Sequence, residues 1–418
     1  FTLFIFTLIV LIFSPIFIFL FAPGFYFDPV KQDISVQVLR IMFPYLALIS
    51  LVALAGGIQN THQKFSVPAL TPVIFNLSLI IAALFIAPKY DMPIYVLAWS
   101  VLLAGFLQLI IQIAPLRSIK RLPIPKLNFQ NEGIKKFFVV IFPAILAGGI
   151  IQINLLVDTI FASLLQTGSP TWLYVSDRLV QFPLGIFAIA IGTVLLPTLS
   201  KLDANKERIA FNNTIKKGQR FVLFIGIPSL IGLMFCAEDL ISTIFYRGAF
   251  TEVDVFNSSM SLMAFSMGLP FFMLMKVLTP AFFARKDTKT PMFVAIISLV
   301  LNASLNYLLA FVLNFGHVGI AIGSSVAALI SVLILEGILY KDGFIKIHGV
   351  INRFNIMILF SSIALIIFLY FFTSMTNFMN FNQPQRFLFL TIEIIISIAI
   401  YFSVSKLIYQ KSLKNLFN

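Results

Sequence analysis

The feature that most constrains this chain is a series of long apolar runs, near residues 1 to 23, 41 to 60, 68 to 88, 93 to 115, 137 to 163, 172 to 200, 219 to 245, 259 to 284, 291 to 314, 319 to 340, 355 to 374 and 387 to 408. A helix needs about 20 apolar residues to cross a bilayer, where every backbone N–H and C=O must be bonded within the segment. Twelve runs of that length predict an all-α polytopic membrane protein with about 12 transmembrane helices. Only 11% of the residues are charged, against about a quarter in soluble domains. A soluble enzyme, a disordered chain and a nucleic-acid-binding protein are poor readings, the last despite a net charge of +13. The first run has no basic start and no small-residue cleavage site, so it reads as a membrane helix rather than a signal peptide.

Lys and Arg set the orientation, because basic connections stay in the cytoplasm. Connections after even-numbered runs, with the tail, hold 22 of the 29 basic residues; connections after odd-numbered runs hold five. Even connections and both ends of the chain are therefore expected in the cytoplasm. The remaining two, Arg178 and Lys276, lie inside runs. A single cysteine, Cys236, and three scattered histidines, His62, His317 and His348, supply neither a disulfide framework nor a metal cluster, and no metal or cofactor is expected.

Pro15, Pro44, Pro72, Pro143, Pro183, Pro228 and Pro270 interrupt runs, and the clusters Ala55-Gly56-Gly57 and Ala147-Gly148-Gly149 suit close helix approach. Ordinary membrane-helix composition accounts for these as well as bent helices lining a path do. Phe43-Pro44 recurs as Leu269-Pro270 and Asn76-Leu77-Ser78-Leu79 as Asn302-Ala303-Ser304-Leu305, both 226 residues later. Six runs separate the copies, so the expected repeats share one orientation. Partners for runs five and six would then precede residue 1, and the chain is expected to be part of a fourteen-span protein.

Charge at membrane depth is costly, so each such residue is a functional candidate. Arg178 lies about six residues into the sixth run, ~9 Å along a helix, and Lys276 about eight residues from the inner end of the eighth, ~12 Å. Asp158 and Asp177 are placed to balance Arg178; a structural ion pair or a snorkelling side chain is the plainer reading of each charge. Asn154 and Asp158 share a helix face, and Gln152 precedes them; inter-helix hydrogen bonding accounts for both amides equally well. Glu393 and Glu336 are secondary candidates. The basic segment 201–220 reads as a cytoplasmic surface helix near anionic headgroups or as a solvated loop. No G-x-x-x-x-G-K-[ST], G-x-S-x-G or H-E-x-x-H motif occurs, so the chain does not read as an enzyme. Transport would draw on gradients or on membrane potential, worth about 2.3 kcal/mol per charge per 100 mV.

The stretches 43–78 (FPYLALISLVALAGGIQNTHQKFSVPALTPVIFNLS), 142–201 and 276–291 (KVLTPAFFARKDTKTP) resemble the MurJ (MviN) lipid II flippases of the multidrug/oligosaccharidyl-lipid/polysaccharide exporter superfamily. The D-R-L-x-x-F-P-x-G run at 177–185 is the most specific part. The resemblance implies a fourteen-helix, two-lobed exporter in the bacterial inner membrane. Its implied activity is translocation of lipid-linked peptidoglycan precursor by alternating access of a cationic cavity. Its implied partners are lipid II, membrane lipids and cell-wall synthesis proteins, with no nucleic acid. The implied division is an incomplete first lobe at 1–115, a cytoplasmic linker at 116–136, a second lobe at 137–340, a final helix pair with a lateral groove at 355–408 and a tail at 409–418. Asp177, Arg178 and Lys276 match cavity positions. Gln181 stands where some members carry glutamate, and the cavity arginines of the family's first two helices have no counterpart here. A flippase for another polyprenyl-linked glycan shares the same chemistry. A cation-coupled drug antiporter would want carboxylates where Arg178 and Lys276 stand.

Overall fold

The computed structural model describes residues 2–121, 149, 152–344, 353–376 and 378–408, and among them every regular element is helical. Most of the fifth run, most of the 116–136 linker, Pro143, the Ala147-Gly148 pair and the 409–418 tail lie outside the described residues. Ten described helices are long and apolar enough to cross a membrane, and a bent pair makes an eleventh. The chain divides into two units, 1–141 and 142–418.

In the first unit, α1 (Thr2–Ile12) and α2 (Ser14–Phe21) meet at 86°. Pro15 in the first turn of α2 has no N–H to continue the ladder from α1, which makes this the natural break. After α3 (Pro23–Tyr26), α4 (Pro29–Met42) is capped by Asp28, which accepts from the N–H groups of Val30 and Lys31. It leads through Phe43-Pro44 into α5 (Tyr45–Thr61), so residues 29–40, expected as part of an outer connection, are helical instead. α6 (Ser66–Ile81) runs on through a π-helical turn, Ala82–Ile86, and α7 (Pro93–Ser118) packs against α4, α5 and α6. The α5–α7 seam buries Val52, Ala55 and Gly56 with Ala98, Val101, Ala104 and Gly105, small side chains that let the backbones close. It also buries amides: Gln59 Nε2 donates to Gln112 Oε1, Tyr45 Oη to Gln108 Oε1 at 3.3 Å, and Gln108 Nε2 to Thr71 O at 2.7 Å.

The second unit contains α8 (152–163), α9 (Ser169–Pro183), a π-helical turn at Leu184–Ala188, α10 (Ile189–Ala204), α11 (Arg208–Phe235), α12 (Ala237–Phe245) and α13 (Glu252–Ala284). It continues with α14 (Lys289–Asn306), a π-helical turn at Tyr307–Val312, α15 (Gly316–Lys341), α16 (Arg353–Met375) and α17 (Gln383–Ile408). α13 is the hub, touching α9, α10, α11, α12 and α15. Thr251 and Asp254 close its start as a reciprocal capping box. At its other end the Asp287 turn leads into α14. Burial raises the Asp287 carboxyl, but hydrogen bonds from Thr290 and the Lys289 N–H, with Arg285 nearby, hold it below its usual range. The segment 201–220 is not a separate surface helix: it is divided between the end of α10 and the start of α11, which continues unbroken into the span.

The repeat is present, at a different offset. Pro29–Thr61, Ser66–Lys89 and Pro93–Ser118 contain 33, 24 and 26 residues, and so do Glu252–Ala284, Lys289–Val312 and Gly316–Lys341. The starts are 252 against 29, 289 against 66 and 316 against 93, a constant offset of 223. The left-handed turn residues Gln63 and Lys286 obey it too, as do Lys120 and Gly343. The sequence motifs at 226 lie three residues, nearly one helical turn, out of this register.

Candidate functional site

α9 carries the Asp177-Arg178 pair. Trp172, Val175, Ser176 and Val180 are buried, whereas Tyr174, Arg178, Gln181 and Phe182 are exposed, the spacing of two opposite sides of a helix. Two bonds to α13 set this rotation: Trp172 Nε1 donates to Asp254 Oδ1 at 2.7 Å, and Ser176 Oγ to Ser258 O at 2.7 Å. Gly168, in the left-handed region at φ 104°, lets the chain turn tightly into α9 under the Trp172 ring.

The Arg178 guanidinium sits 4.8 Å from the centre of the Tyr174 ring. It is nine residues from the start of α9, about 14 Å along the axis, deeper than the sequence suggested. Asp177, half-buried, receives only long bonds of 3.4 Å from Gln181 Nε2. On α13, Met273, Leu274, Val277 and Leu278 are buried while Lys276 is exposed, eight residues or about 12 Å before the end of the helix. Among the described residues neither Arg178 nor Lys276 is in an ion pair. A cation at such a depth along a span is costly against hydrocarbon, which makes both residues functional candidates. A π-helical turn follows the D-R-L-x-x-F-P run directly, at Leu184–Ala188, an irregularity frequent at functional sites.

Asp158 does not balance Arg178. It belongs to a second cluster, in which Asn306 Nδ2 donates to Asp158 Oδ1 at 2.6 Å and to Asn302 Oδ1 at 3.0 Å, and Asn302 Nδ2 donates to Ser324 Oγ at 2.9 Å. This cluster joins α8, α14 and α15. Asn154 is half-buried with its Oδ1 unpaired, and Gln152 is exposed. Of the secondary candidates, Glu336 accepts from Gln219 Nε2 at 2.6 Å, and Glu393 is fully buried on α17. No three His, Cys, Asp or Glu side chains converge as a metal site among the described residues.

Sequence reasoning missed the roles of Asn302, Asn306, Ser324 and His317. His317 is buried between Ser261 Oγ, 2.6 Å from Nδ1, and Asn257 Oδ1, 3.3 Å from Nε2. Two asparagines four residues apart in an apolar run were the available signal for the first cluster; His317 offered none.

Comparison with known proteins places this geometry. The family model described as lipid II flippase MurJ matches residues 1–389. The chain is 39% identical over 344 residues to the probable lipid II flippase MurJ of Haemophilus influenzae, covering 81% of this chain and 67% of that one. It is 42% identical over 313 residues to the Vibrio cholerae counterpart, covering 75% of this chain and 59% of that one. The match thus spans about two thirds or less of these relatives' length. A solved structure titled lipid II flippase MurJ, inward closed conformation, superposes with a TM-score of 0.80 at 28% identity, covering 98% of this chain and 81% of that one. An inward-facing MATE family transporter shares the fold, with a TM-score of 0.66 at 12% identity over 81% of this chain and 80% of that one.

Proposed function

The chain belongs to the lipid II flippase MurJ family, and we propose that it is the membrane-embedded machinery that moves lipid II from the cytoplasmic to the outer leaflet of a bacterial inner membrane. The observation that carries this reading is the pair of exposed, unpaired cations, Arg178 and Lys276, at membrane depth in the second unit. Lipid II offers a pyrophosphate between a sugar headgroup and a prenyl tail. Arg binds such oxygens with two parallel charge-assisted bonds and Lys with a mobile point charge. Tyr174, stacked on the guanidinium, limits its rotation and orders it in advance of binding.

In this reading the cations draw the pyrophosphate into a water-filled cavity, and access to that cavity alternates between the two sides of the membrane. Asp177, beside Arg178, competes for its charge and keeps binding weak enough for release. Asp158, held by Asn306, supports the α8–α14–α15 corner rather than the substrate, with Asn154 and Gln152 on the same helix. The 22 basic residues of the even connections would keep those connections, and both ends of the chain, in the cytoplasm. The carboxylate-rich cavity that a cationic drug requires is not what α9 and α13 present. The test is depletion of the endogenous flippase in cells carrying the complete gene, scored by lipid II accessible at the outer leaflet. Restored accessibility supports the reading; its absence from well-expressed protein refutes it.

A further inference from the structure

Away from the cationic face, the seam between α12 and α17 concentrates unmatched polarity. Glu393, on α17, is fully buried, and Asp239, in the first turn of α12, is 7% exposed. The Cys236 thiol donates to Glu393 Oε1 at 3.1 Å. Glu393 Oε2 and Asp239 Oδ2 are buried without a hydrogen-bond partner, and so are Thr243 Oγ1, one turn after Asp239, and Ser397 Oγ, one turn after Glu393. Cys236, three residues before Asp239, bonds to Glu393, and α12 packs on α17, so both carboxyls belong to one seam.

Among the described residues no positive charge pairs with either of them. The junction between α11 and α12 brings the Cys236 thiol, and α12 brings Asp239 and the exposed Glu238. α16 has one ionisable charge, Arg353, at its first residue. On α17 itself, Arg386 spends its donors on the carbonyls of Phe378, Met379 and Ser242 and stacks on Tyr246, while Tyr401 Oη donates to Phe224 O. Neither carboxyl is in an ion pair among the described residues, and these groups do not form a three-ligand metal site.

A buried carboxylate without a counter-charge is far costlier than the neutral acid, and two neighbouring ones cannot both stay ionised. The least costly remedy is a proton. Glu238, adjacent in sequence and exposed, offers a route for it to Asp239. We propose that Asp239 and Glu393 form a proton-binding dyad that seats α17 on α12 while protonated and loosens that seam when the proton leaves. The far end of the seam is held separately, by Gln383 Nε2 donating to Thr243 O and Arg386 Nη1 to Ser242 O. The dyad thus governs how tightly the final helix pair closes on the body, not whether it stays attached. This inference is independent of the substrate.

Infrared titration of the purified full-length protein tests it. Wild type shows a protonated-carboxyl C=O band at neutral pH that fades as pH rises; Glu393→Gln and Asp239→Asn each weaken the band and shift its titration, and the double variant removes it. Thermal unfolding provides the second readout. A carboxyl that keeps its proton in the folded state contributes its full stability below the ordinary carboxyl range and loses it as pH rises through the dyad's titration. Wild type therefore loses stability toward alkaline pH, and Glu393→Gln flattens the curve. A wild type with no titrating band, or a band intact in both variants, overturns the proposal. Stabilisation by sodium at fixed pH that Glu393→Gln abolishes also overturns it, by making the occupant a metal cation.

Discussion

The two helix trios, residues 29–118 and 252–341, share lengths, connections and left-handed turn residues, yet they bury different chemistry. In the first trio the most apolar windows of the three helices are 17%, 6% and 33% buried; in the second they are 56%, 17% and 56%. At equivalent positions the first buries the Gln59–Gln112 amide pair and the second buries Phe282 and Leu335. Where the first has Ala53, the second has the exposed Lys276; where the first has Val96, the second has Gly319, packed on the π-helical turn. The length of apolar runs sets the backbone scaffold, and single substitutions on it decide whether a position packs, bonds or carries charge.

That contrast can be broken by exchange. Arg178→Ala should have the largest effect: loss of growth support on depletion of the endogenous flippase, with the protein still present in the membrane by immunoblot. Lys276→Ala gives the second trio the residue of the first and should weaken support without abolishing it, measured as growth rate in the same strain. Gly319→Ala sets a methyl 2.7 Å from Ala310 N and Leu309 C, backbone atoms that cannot rotate away. It should cost about 1–3 kcal/mol, read from thermal unfolding, whereas Val96→Ala in the first trio meets no such wall. Gln112→Leu alone leaves Gln59 unpaired in the core and should cost about 1–3 kcal/mol, while the double change Gln59→Leu and Gln112→Leu should return to within about 1 kcal/mol of wild type.

The span pattern was legible because each crossing announces itself locally, by some twenty apolar residues in a row. Arg178 and Lys276 were legible for the same reason, as charge against an apolar background. The offset of the repeat was misread because four-residue matches weigh less than whole-helix boundaries. The dyad was hidden because Asp239 and Glu393 lie 154 residues apart and neither sits in a motif; only the packing of α12 on α17 joins them. Asp158 looked like a partner for Arg178 because both belong to adjoining helices, but the rotation of α9 imposed by Trp172 and Ser176 turns Arg178 to the exposed side.

The central claim is that the exposed cations of the second unit, and not the buried amides of the first, hold the substrate's pyrophosphate. Binding of lipid II to purified protein tests it directly, comparing wild type with Arg178→Ala and with the Gln59→Leu, Gln112→Leu double variant. The account predicts loss of binding in the first and wild-type affinity in the second. Wild-type binding by Arg178→Ala would contradict it.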